Sequence, residues 1–261
     1  MKIINIVILL FYTQHSYACN KPITIQVGAF LSSTFIQQYW MDFALDIEKQ
    51  MGCPVKVQAS SSYKQYLDIL ISGQGDLFFV PNHYVQALLN KGLAPIIKSS
   101  NDAQVYIISQ QSIYKHGPDV LIDGTILVPG LYTRAYLELK RWLKINHLEN
   151  KVKFDFNHSH DAATLLMLEG KYSAAVVLGS IYNKLPQSIK SKYPAIKLKN
   201  KSGASVLIKN NTDNVLASAI LTARSKINFL TWDKAPLSLA KDPFSDTFSK
   251  QLDQYIANKS K

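Results

Sequence analysis

The sequence predicts an α/β protein of two lobes, each a doubly wound and mostly parallel sheet, joined by two hinge strands. Three observations predict it. Strand-like and helix-like runs alternate with short loops over the first hundred residues. The same alternation resumes in the second half, and a terminal segment then returns to the first unit, with crossings near 104 and 207. No Pro- or Gly-rich linker separates the units, which fits paired hinge strands better than a flexible tether.

In chain order, "ITIQVGAF" (23–30) is rich in β-branched residues and reads as a strand. Residues 33–51 follow with apolar positions Phe35, Ile36, Tyr39, Trp40, Phe43 and Ile47 at helical spacing, closed by "GCP". "VKVQAS" (55–60) is a second strand, and "SSYKQYLDILISG" a helix with a capping box from Ser62 to Gln65 and a terminal Gly73. "DLFFVP" (76–81) is a buried-type strand, "NHYVQALLNKG" a helix ending at Gly92, and "LAPIIKS" another strand. The second unit offers strands at 104–110, 125–130 and 152–157, a helix from about 133 to 148, a helix at 160–170 and the strand "SAAVVLG". The tail supplies a strand at 204–210, a helix near 214–226 and a last helix near 245–257. The expected organisation is a leader at 1–18, a first lobe at 19–104, a second at 105–207, and a return segment at 208–261.

The leader is read from Lys2, the apolar run Ile3–Tyr12 and the small residues Ser16 and Ala18, the pattern of a cleaved secretory signal. No later apolar run approaches the length of a membrane span, so a periplasmic or otherwise extracytoplasmic location is expected. Two cysteines, Cys19 and Cys53, each precede a predicted strand. As first mature residue Cys19 could carry a lipid, although Ser16 stands where a lipobox has an aliphatic residue. The alternative is a disulfide, which an oxidising compartment permits and which would add about 2–4 kcal/mol by closing the loop between them.

The net charge of +11 favours anionic partners. The lysines are scattered, and no helix carries a basic stripe with interleaved aromatics, so nucleic acid is not an expected partner. In an open parallel sheet, ligands bind beyond the carboxyl ends of the strands. Those ends carry Ser32 and Ser33, then Ser61, Ser62 and Tyr63, then Asn82, His83 and Tyr84 in the first unit. In the second they carry Tyr132, Thr133 and Arg134, then His158 and His160, then Ser180. Nearly every one opens a helix, whose free N–H groups and positive pole hold anions. Serines at such positions are also ordinary N-caps. Arg134 opposes the dipole of its own helix, which a nearby anion would explain. His158-x-His160 is too sparse for a metal centre, which needs three or four ligands. The chain lacks GxSxG, HExxH and a P-loop, so neither catalysis nor a cofactor is expected.

The stretch "SSYKQYLDILISGQGDLFFVPNHYVQALLNKG" resembles the first-lobe signature of the phosphonate/phosphate-type substrate-binding proteins of ABC importers, and "HSHDAATLLMLEGKYSAAVV" resembles the second. The resemblance covers about 23–225. It implies a two-lobed periplasmic-binding-protein type 2 fold that closes on an oxyanion and hands it to a membrane permease; a monomer is expected, and no enzymatic activity. By motif, Tyr63 and the segment from Pro81 to Tyr84 would serve one lobe, and Thr133 and His160 the other. Two departures stand out: "GLYTRAYL" replaces a Ser/Thr-Ser-Gly turn, and Ser173 replaces an acid that could pair with an aminophosphonate. The resemblance thus implies phosphate, phosphite or a similar small oxyanion rather than an aminophosphonate. A sensory role beside a membrane signalling protein, or an enzyme on the same fold, are the alternatives.

Overall fold

The computed structural model describes residues 19–100, 104–156, 159–198, 203–209, 214–227, 231–235 and 242–259. The predicted leader and His158 lie outside them. The first lobe begins β1 (Ile23–Val27), α1 (Ser33–Met51), β2 (Val55–Ala59), α2 (Tyr63–Ser72), β3 (Leu77–Pro81), α3 (Asn82–Leu89) and β4 (Leu93–Ser99). The second contains β5 (Val105–Ser109), α4 (Ile113–His116), β6 (Thr125–Leu127), α5 (Arg134–Ile145), β7 (Lys153–Asp155), α6 (His160–Leu168), β8 (Ala174–Leu178), α7 (Gly179–Tyr182), α8 (Gln187–Lys192) and β9 (Ile196–Leu198). The chain returns through β10 (Ala204–Lys209), α9 (Asn214–Ala223), β11 (Trp232–Lys234) and α10 (Ser245–Lys259).

The local rules explain the helices that frame the site. α1 buries Ile36, Trp40, Phe43, Ala44 and Ile47, one apolar stripe at helical spacing. It stops at Gly52, whose φ of 64° only glycine adopts cheaply and whose N–H closes on the Glu48 carbonyl at 2.8 Å. α2 opens with the Ser62 hydroxyl accepting from the Gln65 N–H at 3.2 Å. The Gln65 carboxamide reaches back one residue further than the capping-box expectation, to the Ser61 N–H at 2.7 Å.

Each lobe has one sheet. The orders are β11-β4-β10-β3-β1-β2 and β7-β6-β8-β5-β9. The parallel part is three strands wide in both: β2-β1-β3 and β7-β6-β8. Beyond it the sheets are antiparallel, because β10 enters the first lobe, and β5 the second, from the opposite direction. β10 already belongs to the first sheet from Ala204, paired with Pro81. The return crossing therefore falls between Leu198 and Ala204, not at 207 as expected. β10 (Ala204–Lys209) pairs with β3 in one register and with β4 on both sides of a register shift between Val206 and Leu207, so a boundary at 207 would cut a strand that belongs to the first sheet throughout.

Helices cover both faces of each sheet, as a doubly wound sheet requires. In the first lobe α1 and α9 seal one face, around Ile25, Trp40, Phe43, Phe79 and Ile220. Helices α2, α3 and α10 seal the other, around Tyr66, Phe78, Tyr84 and Phe248. In the second lobe α5 packs one face and α6 the other. Cys19 and Cys53 form a disulfide with Cα atoms 5.5 Å apart. The parallel register that sets Ile23 beside Val55 brings both cysteines to the same sheet edge.

Candidate functional site

Between the lobes lies a cavity of about 880 Å³. It opens where the parallel strands end, as the topology dictates. From the first lobe it is lined by Gly28, Phe30 and Leu31 after β1, by Tyr63 and Tyr66 of α2, by Phe79 and Pro81 of β3, by Tyr84 of α3 and by Tyr39 of α1. From the second it is lined by Thr133, Arg134 and Ala135 at the start of α5, by His160 at the start of α6, and by Leu178, Gly179, Ser180, Asn183 and Lys184 around α7. The lobes touch around this space. The His160 N–H donates to the Phe30 carbonyl at 3.2 Å. The Ser32 N–H donates to Asp161 at 3.2 Å. A Cβ at Gly130 would lie 2.7 Å from the Tyr63 ring, so only glycine lets that ring dock against the second lobe.

Of the residues singled out in the sequence, Tyr63, Tyr84, Thr133, Arg134, His160 and Ser180 line this cavity. Their polar groups are not equally available. Burial keeps the Tyr63 hydroxyl protonated by pushing its pKa up. The Tyr84 hydroxyl donates to the Tyr132 carbonyl at 3.1 Å. The Thr133 hydroxyl donates to the Gly130 carbonyl at 2.7 Å and accepts from the Tyr136 N–H at 3.2 Å, so it is spent as the N-cap of α5. His160 is 2 % exposed, and its Nδ1 has no partner among the described residues. Burial drives its pKa down to about 3, outweighing the backbone of Val176 and the charge of Asp161, so the ring is neutral.

Arg134 needs the largest revision. The anion that explains a cation at this helix start belongs to the protein itself. Its guanidinium Nε donates to Glu138 at 3.0 Å, its NH2 pairs with the same carboxylate at 2.8 Å, and its NH1 pairs with Asp242. The group also lies 4.4 Å over the ring centre of Phe244. Burial pushes the Glu138 carboxyl up, and the charge of Arg134 pulls it back. The guanidinium is thus occupied on three sides by protein groups.

The remaining expected donors lie off the cavity. Ser33 and Ser61 are exposed, and Ser62 caps α2. Ser32 contributes a backbone N–H to Asp161 rather than a hydroxyl to a ligand. Asn82 donates its own N–H to Gly203 at 3.2 Å. His83 is fully buried, and its Nε2 donates to the Tyr132 carbonyl at 3.1 Å while rings of Tyr84 and Phe248 flank it. Burial lowers its pKa to about 4, against the pull of that carbonyl and of Asp242. Tyr132 supplies that carbonyl and packs its ring on Tyr255. Ser173 immediately precedes β8, whose other end reaches the cleft, so the loss of an acid there takes no charge from the cavity. Strand-end reasoning missed Phe30, Tyr39, Tyr66 and Lys184. Tyr66 had a signal, since it stands one helical turn after Tyr63 on α2.

A two-lobed fold with its cavity at facing strand ends matches what a family model finds: residues 27–228 fit the model for the ABC-transporter phosphonate periplasmic substrate-binding protein. The chain belongs to this family. Members of the family are transport components that act in the periplasm, not enzymes. Solved structures agree on the fold. PhnD1 of Prochlorococcus marinus, in complex with methylphosphonate, is 15% identical with a TM-score of 0.69, over 92% of this chain and 98% of that one. A binding-protein component of an ABC phosphonate transporter from Pseudomonas aeruginosa is 12% identical with a TM-score of 0.64, over 92% and 99%. A Xanthomonas citri protein bound to ATP is 12% identical with a TM-score of 0.60, over 91% and 98%. A comparison with curated protein sequences finds no match.

Proposed function

We propose that this family member captures a small oxyanion of the phosphate, phosphite or phosphonate class between its lobes and presents it to the permease of an ABC importer. The observation that carries the reading is His160. It opens α6 inside the interlobe cavity, buried, neutral and with an unpartnered ring nitrogen. A buried polar atom without a partner is costly, and the P–OH proton of a bound ligand would supply one. The buried Tyr63 hydroxyl adds a neutral donor, whereas the His160 and Ala162 N–H groups at the α6 pole are engaged by Phe30 and Ser159. The crossings between β4 and β5 and between β9 and β10 serve as the hinge, and the interlobe contacts around the cavity belong to its closed state.

Calorimetry with phosphate, phosphite and methylphosphonate tests this reading. Binding of at least one, with a thermal midpoint that rises with its concentration, supports it. No heat and no shift with any of the three overturns it.

A further inference from the structure

The size and lining of the cavity address a narrower question: what the phosphonate carries on its carbon. A volume of about 880 Å³ is at the upper end of what drug-sized ligands occupy, far beyond the needs of a methylphosphonate. Six of its lining residues are aromatic, and two of these turn their polar tips into the protein. The Tyr66 hydroxyl donates to the Phe79 carbonyl and the Tyr84 hydroxyl to the Tyr132 carbonyl, so both rings offer the cavity carbon rather than oxygen. Phe30, half-buried on the wall, lies 5.1 Å from Phe79, which itself meets Trp40 edge-on at 5.0 Å. That tilted stack is the geometry in which a further ring is accommodated with a favourable quadrupole. No carboxylate stands among the described lining residues, and Glu138 and Asp242 behind them are engaged by Arg134. An ammonium-bearing substituent would find no charge partner there.

Resting on the phosphonate reading above, we infer that the preferred ligand is a phosphonate whose organic group is aromatic and uncharged, seated against Phe30, Tyr66 and Phe79. The head group sits at the His160 end, and the ring fills space that would otherwise hold water against an apolar wall.

Titration calorimetry of the full mature chain with methylphosphonate, 2-aminoethylphosphonate, phenylphosphonate and benzylphosphonate decides it. Burying an aryl group predicts phenyl- or benzylphosphonate tighter than methylphosphonate by about tenfold or more. Equal affinities, or a preference for the methyl or aminoethyl compound, overturn the inference and leave the oxyanion reading intact. Failure of all four to bind overturns the inference, and the oxyanion reading falls with it only if phosphate and phosphite fail as well. The variant Phe30→Ala locates the ring. A fall in the ratio of aryl- to methylphosphonate affinity toward one, both measured on the same folded variant, supports the placement. A folded variant that keeps the preference overturns it. The wild-type series stands whatever that variant does.

Discussion

The two ends of the interlobe contact use the same kinds of side chain for opposite purposes. At the α5 end, Arg134 is locked between Glu138 and Asp242, and His83 and Tyr84 both donate to the Tyr132 carbonyl. Asp242 also accepts from the Phe244 N–H at 2.9 Å, just ahead of α10, which packs on α3 through the stacked rings of Tyr84 and Phe248. That end is a clasp in which the protein engages the Arg134 guanidinium, the Tyr84 hydroxyl and the His83 Nε2, while the His83 Nδ1 has no partner among the described residues. At the α6 end, His160 and Tyr63 line the cavity, and the buried His160 Nδ1 has no hydrogen-bond partner among the described residues. Residue type does not separate the two ends. What sets the α5 end apart is that distant segments engage it: Asp242 holds Arg134, and the Tyr132 carbonyl holds His83 and Tyr84.

The comparison breaks most visibly at Asp242. Replacing it with alanine leaves the Arg134 guanidinium buried beside a single carboxylate and removes the acceptor of the Phe244 N–H just ahead of α10. Breaking a buried ion pair by removing one partner typically costs about 3–5 kcal/mol. Denaturant unfolding of Asp242→Ala should therefore show a loss of that order. An unchanged midpoint accompanied by lost phosphonate binding would mean that Arg134 serves the ligand after all.

Next in size is a pH effect shared by both ends. His83 and His160 are held near 4 and near 3 by burial, against an ordinary value of 6.5. The unfolded chain takes up these protons as pH falls through 6.5, whereas the folded chain refuses them until far lower. Their stability is therefore complete above pH 6.5 and is lost on acidification from there toward pH 4. By pH 5 each should have cost about 2 kcal/mol. Unfolding curves between pH 7.5 and 5 measure the sum. His83→Gln and His160→Gln should each remove about half of the slope, and a slope indifferent to both substitutions would refute their neutrality.

The two ends then diverge in binding. His160→Leu keeps the volume, removes the ring nitrogens and should weaken methylphosphonate by about 10- to 100-fold, the cost of one lost buried hydrogen bond. His83→Gln should leave that affinity nearly unchanged, because the His83 ring faces Tyr132 and Phe248 rather than the cavity. Equal losses in the two variants would erase the distinction between clasp and cleft.

Most of the fold was legible because it is written locally. The α1 stripe, the Ser62 cap, Gly52 and Gly73 each declare an element within one or two turns of chain. The alternation of such elements then dictates parallel sheets and, from them, the edge where a cavity opens. The antiparallel entry of β10 and β5 is not local, and neither is the crossing before Ala204. In the site, Tyr63 and His160 were readable as strand-to-helix positions. The fate of Arg134 was not, since Asp242 stands 108 residues away and nothing in "GLYTRAYL" points to it. His83 was illegible for the same reason: a histidine after a strand looks alike whether its ring turns to a cleft or to a carbonyl of the other lobe.

The smallest expected effect lies at the mouth of the cavity, where Lys184 of the second lobe reaches Tyr39 of the first. Its ammonium contacts the Tyr39 hydroxyl and lies 4.8 Å from the ring centre. The lysine is exposed, so water and salt screen it, and its charge acts more on encounter than on the bound state. Lys184→Gln should slow association of a phosphonate anion by roughly two- to fivefold at low ionic strength, with the difference fading as salt is raised. Stopped-flow fluorescence can follow this through Trp40, which is buried behind Phe79 on the cavity wall. Dissociation should change little. A salt-independent rise in the dissociation rate would instead make the Lys184–Tyr39 bridge a second clasp, and the mouth would then belong with the α5 end of the contact rather than with the cleft.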